Sequence, residues 1–269
     1  MKPKKVYKYK SPGKYLFDIL KNNYLYFSLP QEFNDPFDCR IVVDHDGDLQ
    51  DWLGWAKSLD KPSDIKQEVI RQIKSNNFEP SQISRPPSNE NNQQVIHCFS
   101  EIHDNLLMWS HYTNNHKGVC IGYEVNKEFN SPCIYFDDNE VKPFHPSIKN
   151  GAVPLIPVTY KKSMPKPVDF FNKKEEDIIR FLVTKSNEWE YEKEWRALYP
   201  TDKIQNQKIT IRKDLIKEIY LGAKIEKGTR DKILEIVSEE YLSNGYNIDV
   251  YELELADRSY SLNEKKLKL

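Results

Sequence analysis

The sequence predicts an α+β fold in which helices flank a mixed, largely antiparallel sheet. Two observations support this prediction. Short runs of alternating or continuously apolar residues, typical of strands, recur along the chain, and amphipathic segments with apolar residues three and four apart lie between some of them. The 269 residues are also enough for one large domain that carries an insertion.

The chain begins with a predicted strand–helix–strand unit. Residues 6–9 alternate as in a short strand, and a Pro-Gly turn follows. Residues 14–22 place apolar side chains on one helical face, and residues 24–28 (YLYFS) form the second strand.

The loop over residues 31–40 (QEFNDPFDCR) has two interpretations. Asn-Asp-Pro is a turn signal, because Asn and Asp close local turns and Pro fixes the next φ angle. Phe33 and Phe37 flank this signal and could pin the loop to the core. Alternatively, Asn34, Asp35 and Asp38 line a pocket.

Residues 45–92 are predicted to be a helical insertion. Residues 49–78 carry apolar residues at helical spacing, and residues 79–92 are a polar loop that contains prolines. We therefore expect a single α+β domain over residues 1–255, this insertion, and a loose tail over residues 256–269.

The segment 106–124 (LLMWSHYTNNHKGVCIGYE) is the strongest candidate for a site. A strand over residues 94–100 precedes it, and the segment itself reads as a short buried helix, a polar turn and a buried strand. This arrangement places Trp109, His111 and Tyr112 at one corner, with Lys117 nearby. Core segments rarely carry so many hydrogen-bonding groups unless partners or a ligand satisfy them. His111 is either a satisfied core residue, a donor to a ligand or a general base.

The remaining elements follow from the same patterns. Strands are predicted at 133–136, 141–144, 153–160, 209–211, 219–221 and 247–254, and helices at 168–187 and 227–242.

Acids and aromatic residues alternate between residues 188 and 200 (EWEYEKEWRALYP). Alternation in a strand sends the acids to one side and the aromatic residues to the other. The acids either form ordinary surface ion pairs with Arg196 or supply a poised carboxylate at the mouth of a buried strand. Glu192 and Glu194 are the two candidates for that carboxylate.

The composition argues against several classes of protein. Lys and Arg (40) balance Asp and Glu (41), so there is no overall basic field for nucleic acid. The 4 cysteines and 6 histidines show no metal-binding spacing, and no glycine-rich phosphate-binding motif is present. The lack of metal-binding spacing predicts no metal site. The absence of a bilayer-length apolar run or a signal-peptide core predicts a soluble, cytoplasmic protein.

Four motifs together resemble a bacterial family, the domain of unknown function number 2971. They are YKY at residues 7–9, FNDPFD at 33–38, WSHY with HKG at 109–118, and YEKEWR at 191–196. The resemblance runs in order from about residue 5 to about residue 225. The family has no established reaction.

The opening of the chain is also similar, more loosely, to ADP-ribosyltransferases of the toxin and RNA-phosphotransferase type. Their fold begins with a strand, a short helix and a strand that reads like LYFS, and it binds NAD without a glycine-rich loop. Such enzymes carry a late glutamate that positions the nicotinamide ribose and the acceptor. The resemblance assigns this role to Glu194, or failing it to Glu192.

This second resemblance implies an ADP-ribosyltransferase-like enzyme that uses NAD to modify a protein or nucleic acid, in phage defence or a toxin system. In it, Glu194 stabilises the ribosyl cation, with His111 as a further catalytic candidate. The cofactor-binding candidates are Lys8, Tyr9, Asn34, Asp35, Trp109, Tyr112, Lys117 and Arg196. The alternative is a non-catalytic module that senses a nucleotide or another anionic ligand through Trp109, His111, Lys117 and Arg196.

Overall fold

The computed structural model describes residues 2–75, 94–128, 131–136 and 151–269. In these ranges the α-helices are α1 (Lys14–Asn22), α2 (Leu49–Ser58), α3 (Ser63–Ile73), α4 (Leu106–Tyr112), α5 (Glu175–Leu182) and α6 (Lys227–Ile236). The strands are β1 (Lys5–Lys10), β2 (Tyr24–Tyr26), β3 (Val43–Asp44), β4 (Gln94–Ser100), β5 (Val119–Glu124), β6 (Asn126–Glu128), β7 (Ser131–Tyr135), β8 (Ala152–Pro157), β9 (Thr159–Lys161), β10 (Val168–Asp169), β11 (Thr184–Ser186), β12 (Glu194–Pro200), β13 (Lys208–Thr210), β14 (Ile216–Leu221), β15 (Asp249–Leu255) and β16 (Leu262–Lys266).

Among the described residues, ten strands form one sheet in the order β16-β15-β14-β5-β1-β4-β12-β8-β7-β6. Neighbours in it run antiparallel except β14 and β15, which are parallel. The predicted mixed, largely antiparallel sheet with flanking helices is therefore confirmed. No helix in the described ranges is both long and apolar enough to cross a membrane.

The main core lies on one face of the sheet, beneath α1 and α6. Leu16, Ile19 and Leu20 recur three and four residues apart, so α1 buries all three on one side. Ile233 and Ile236 of α6 complete the layer. Full burial of one such aliphatic side chain contributes about 1.5–3 kcal/mol, so this layer holds the two helices on the sheet.

The opposite face of the sheet packs against α4. Tyr9 of β1 and Cys120 of β5 are register partners, and both belong to a second buried cluster with Met108 and Trp109. The side chain of Asn105 caps α4 by accepting two backbone N–H bonds of its first turn. This cap fixes where α4 begins and thereby which of its residues face the sheet.

The strands β1 and β4 separate soon after they meet. Their described residues share one register pair, Tyr7 with Ser100, whereas β1 pairs with β5 along its whole length. Beyond that pair, Ser28 replaces β1 beside β4: its N–H donates to the Ile96 carbonyl at 2.9 Å and its carbonyl accepts the Ile96 N–H at 2.8 Å. The separation opens a gap in the middle of the sheet.

Two helices occupy the predicted helical insertion. The carboxylate of Asp48 caps α2, and α2 and α3 bury a small core of their own around Trp52. The predicted polar loop at residues 79–92 and the predicted strand at 141–144 lie outside the described residues.

The structure differs from the prediction of a loose tail over residues 256–269. Leu262–Lys266 forms β16, an edge strand that pairs with β15, and Lys266 forms an ion pair with Asp249 at 2.8 Å. Edge strands often carry charged side chains, which prevent pairing with a strand of another molecule. In β16 these charged residues replace the alternation of apolar and polar residues by which a strand is recognised in the sequence.

The single long helix predicted over residues 168–187 is also corrected. This segment contains β10, the shorter helix α5 and β11. The Asp169 carboxylate accepts the N–H groups of Phe171 and Asn172, which closes a local turn that competes with helix formation.

Gly118 is required where β5 begins. A Cβ atom there would lie 2.0 Å from the carbonyl oxygen of Lys10, a backbone atom that cannot rotate away. We expect Gly118→Ala to lower the free energy of unfolding by about 1–3 kcal/mol, as overpacking does. Gly54 is the control, because a Cβ atom on its exposed face of α2 meets nothing within 4 Å. Gly54→Ala should raise that free energy by about 0.5–1 kcal/mol in urea denaturation. An unchanged Gly118→Ala midpoint would contradict the described contact.

Candidate functional site

A cleft of about 380 Å³ occupies the gap between β1 and β4. This volume lies within the range of about 300–1,000 Å³ that small-molecule sites show. Residues from both faces of the sheet line it, including Tyr26 and Phe99 from the core side and Met108 from α4. The cleft is therefore lined from both faces of the sheet at the point where the strands separate.

Two acids line the cleft near the start of β12: Glu192 precedes the strand and Glu194 is its first residue. A 3₁₀ helix over Asn187–Glu192 ends at Lys193, whose left-handed backbone (φ 46°) reverses the chain between Glu192 and Glu194. In the strand that follows, alternation places Glu194 and Arg196 on one face and Trp195 on the other. The predicted alternation thus holds within β12, whereas it is wrong for residues 188–192, which belong to the 3₁₀ helix.

Arg196 is fully buried and binds two carboxylates. Its guanidinium donates to Asp38 at 2.6 and 2.9 Å and to Glu194 at 2.8 and 3.2 Å. It also donates to the carbonyl of Leu182 at 2.6 Å. A planar guanidinium suits such paired contacts, which lysine could not reproduce. Arg196 therefore fixes the orientation of Glu194.

Lys185 is the second buried cation of this cluster. Its ammonium lies 2.6 Å from Glu192, 3.3 Å from Glu194 and 3.6 Å from Asp38. Burial would lower the pKa of Lys185, but these carboxylates outweigh burial and raise it, so the amine stays charged. We name Asp38, Lys185, Glu192, Glu194 and Arg196 the acid cluster. Three carboxylates face two cations in it, which leaves one acid in excess beside the cleft.

The two glutamates differ in proton affinity. Burial alone would raise the pKa of Glu194, but the neighbouring Arg196 and Lys185 outweigh it and lower that pKa to about 2. Burial raises the pKa of Glu192 above its ordinary value, although Lys185 opposes the shift. Glu194 is thus a permanent anion and Glu192 the stronger base.

Hydroxyl groups complete the positioning of Glu192 and Glu194. The Tyr112 hydroxyl donates to the Glu192 carboxylate at 2.5 Å, and the Ser100 hydroxyl donates to the Glu192 carbonyl at 2.7 Å. The Tyr160 hydroxyl accepts the backbone N–H of Glu194 at 2.8 Å. Both acids are consequently held in fixed orientations, as catalytic carboxylates require.

The structure brings most of the predicted site residues to the cleft. The cleft is lined by Lys8, Tyr9, Asn34, His111, Tyr112, Glu192 and Glu194. His111 is exposed at its rim, where its ring faces Tyr191. Arg196 does not line the cleft and lies behind Glu194, so it could not contact a ligand there.

Three predicted ligand-binding residues lie elsewhere. Trp109 is fully buried against Tyr9, and its indole N–H donates to the His103 carbonyl at 2.7 Å, so no ring face remains for stacking. Asp35 accepts the Phe37 N–H at 2.9 Å and stabilises a local turn. Lys117 lies outside the cleft and pairs with Glu226 at 3.2 Å.

The sequence did not reveal every member of the site. Lys185 lies in a three-residue strand without any motif, and its partner Asp38 is 147 residues away in the chain. Lys10 and Tyr160 lie in or next to predicted strands, and the sequence around them contains no motif that indicates a site. Only the alternation of Lys8 and Lys10 could have suggested that both lysines face the same way.

The family comparison agrees with the motif resemblance over part of the chain. Residues 108–197 match the model of the family described as "Protein of unknown function (DUF2971)". This segment contains most of α4, the first four residues of β12 and four of the five members of the acid cluster, whereas the FNDPFD motif lies before it. No curated protein and no solved structure matches the chain. Residues 108–197 are therefore similar to the DUF2971 family, in agreement with the motifs at residues 109–118 and 191–196.

Proposed function

We propose that this protein is an ADP-ribosyltransferase-like enzyme that transfers ADP-ribose from NAD to a macromolecule. The observation that carries the proposal is the ionised Glu194, held by Arg196 and Lys185 beside the cleft that opens between β1 and β4. Fixed negative charge next to a ligand pocket stabilises a cation that develops during a reaction.

The proposed reaction breaks the bond between C1′ of the nicotinamide ribose and the ring nitrogen. The bonding electron pair leaves with nitrogen, so the positively charged nicotinamide departs as a neutral molecule and the ribosyl group becomes cationic. An oxygen or nitrogen of the acceptor then bonds to C1′ and gives up its proton. The overall products are nicotinamide, a proton and the ADP-ribosylated acceptor.

The residues of the cleft have distinct roles in this proposal. Glu194, an anion at neutral pH, stabilises the ribosyl cation. Glu192, the stronger base, receives the proton of the acceptor, and the Tyr112 hydroxyl orients it. His111 and Asn34 at the rim shape the entrance.

The charges of the cleft fit the two ends of NAD. Glu192 and Glu194 line the cleft on the α4 side, while Lys8 and Lys10 project from β1 to the other face of the sheet. The nicotinamide ring is cationic and the pyrophosphate is anionic, so each end finds the opposite charge. Tyr9, Tyr26 and Phe33 add aromatic surface to the walls.

A second function is favoured by the same lysines. A module that senses an anionic nucleotide needs the basic end of the cleft and no leaving-group chemistry. The setting suggested by the resemblance, phage defence or a toxin system, suits either function.

Release of nicotinamide separates the two functions. The purified protein is incubated with NAD, alone and with RNA or cell protein as acceptor, and free nicotinamide is quantified by chromatography. If the transferase proposal is correct, the amount of free nicotinamide should equal the amount of ADP-ribose attached to the acceptor plus the amount released by hydrolysis of NAD. Binding of NAD without any release over a day would instead favour the sensor.

A further inference from the structure

We propose that Lys8 and Lys10 form a subsite in the cleft that binds a phosphate or pyrophosphate group. The inference rests on the proposed function, because both use the same cleft. To that function it adds the class of ligand and a dependence of binding on pH.

The first argument is the placement of the two lysines. Residues two apart in a strand lie on the same face, with Cα atoms about 7 Å apart. Lys8 and Lys10 both line the cleft. The Lys8 ammonium is anchored by a hydrogen bond to the Cys98 carbonyl at 2.6 Å. Two cations at this spacing can share one pyrophosphate.

The second argument is the absence of a counter-ion among the described residues. Asp38, Glu192 and Glu194 are held by Lys185 and Arg196. Glu32, the other acid that lines the cleft, accepts the N–H of Leu29 at 3.1 Å and the amide of Gln207 at 3.2 Å. A bound anion would therefore supply the negative counter-charge that Lys8 and Lys10 lack among the described residues.

The third argument is the buried histidine behind the lysines. His97 is 2% exposed, and its Nδ1 bonds to the Tyr26 carbonyl at 2.8 Å. Its Nε2 has no partner among the described residues, which is costly for a buried polar atom. Burial, together with the charges of Lys8 and Lys10, holds the pKa of His97 well below its usual value. Positive charge on His97 is thus disfavoured beside the two lysines.

The protonation of Lys10 follows from these surroundings. Burial, with Lys8 as the second cause, lowers the pKa of Lys10 to about 7. The titratable groups that line the cleft around it are Tyr7, Lys8, Tyr9, Tyr26, Glu32, Asp38, Cys98, His111, Tyr112, Lys185, Glu192 and Glu194, with His97 behind. An anion beside Lys10 raises its pKa again, so binding near pH 8 takes up about one proton.

The test is calorimetric titration with inorganic pyrophosphate at pH 6.5, 7.5 and 8.5, in buffers of different ionisation enthalpy. The wild type should bind with proton uptake that increases with pH, and its affinity should fall by about tenfold or more over this range. Lys10→Met should weaken binding at pH 6.5 by tenfold or more. Lys10→Arg keeps the charge, because arginine does not deprotonate, and should bind at pH 8.5 without the proton uptake seen in the wild type, apart from any proton that pyrophosphate itself releases.

The control is Lys117→Met, which removes a lysine outside the cleft and should bind pyrophosphate like the wild type. Equal affinity of wild type and Lys10→Met, or the same proton uptake in wild type and Lys10→Arg, would overturn the proposal. Because pyrophosphate lacks nicotinamide, the two proposals fail separately. Pyrophosphate binding without nicotinamide release leaves only the subsite, and nicotinamide release without a Lys10 effect leaves only the transferase.

Thermal unfolding of the ligand-free protein gives a second readout. The folded pKa of Lys10 is about 7 and the usual lysine value is 10.5, so the unfolded chain binds more protons between these pH values. The resulting loss of stability grows as the pH falls from about 10.5 to about 7 and is complete below pH 7. Lys10→Met should therefore raise the melting temperature at pH 6.5 while it weakens pyrophosphate binding by tenfold or more. A lower melting temperature together with intact binding would identify Lys10 as a structural residue.

Discussion

Replacing Arg196 with Met is expected to lower the free energy of unfolding by about 3–5 kcal/mol. The guanidinium is fully buried, and its removal leaves Asp38 and much of the charge of Glu194 without their closest cation. Lys185 remains, but it lies 3.6 Å from Asp38 and 3.3 Å from Glu194. An uncompensated buried carboxylate costs far more than the net gain from an intact pair.

Urea denaturation followed by circular dichroism measures this loss. The control is Arg71→Met, because Arg71 pairs with Glu68 on the exposed surface of α3, and such pairs contribute little. We expect the Arg71→Met midpoint to match the wild type. Equal midpoints for Arg196→Met and the wild type would show that the acid cluster does not hold this part of the fold.

Replacing Glu194 with Gln is expected to slow nicotinamide release by about 10²–10³-fold, the effect of removing one preorganised electrostatic group. Affinity for NAD should change by only about threefold, because the charge acts mainly on the transition state. Gln keeps the size of the side chain and leaves Arg196 paired with Asp38. Two quantities are measured: the rate of nicotinamide release at saturating NAD and the dissociation constant of NAD.

Glu218→Gln is the matched control for this variant. Glu218 is also a buried glutamate, but it lies on β14 and pairs with Lys5 outside the cleft. Its replacement should leave the rate of nicotinamide release within about twofold of the wild type. An equal loss of rate in both variants would attribute the effect to general destabilisation. An unchanged rate in Glu194→Gln would remove Glu194 from its proposed role.

The parts of the fold that the sequence predicted are those with a clear local pattern. The opening strand–helix–strand unit follows from the spacing of Leu16, Ile19 and Leu20, which a helix must bury on one side. Glu192 and Glu194 were identifiable because acids beside a buried aromatic strand need partners. Both predictions depend on residues close together in the chain.

The parts that the sequence did not predict depend on distant residues. Trp109 is satisfied in the core by a carbonyl that no sequence pattern identifies, so its place away from the cleft became clear only from packing. Lys185 meets Asp38 across 147 residues of chain. The gap between β1 and β4, on which the cleft depends, arises because the chain near Ser28 pairs with Ile96.

The most direct test of the central claim is a calorimetric titration of NAD into the wild-type protein, repeated with Lys8→Met and Lys117→Met. We expect saturable binding with a dissociation constant below about 1 mM, which corresponds to a binding free energy more favourable than about −4 kcal/mol. Lys8→Met should weaken it at least tenfold, because Lys8 lines the cleft, while Lys117→Met should not change it. Absence of any binding heat at millimolar NAD, or equal affinities in all three proteins, would contradict an NAD site between β1 and β4.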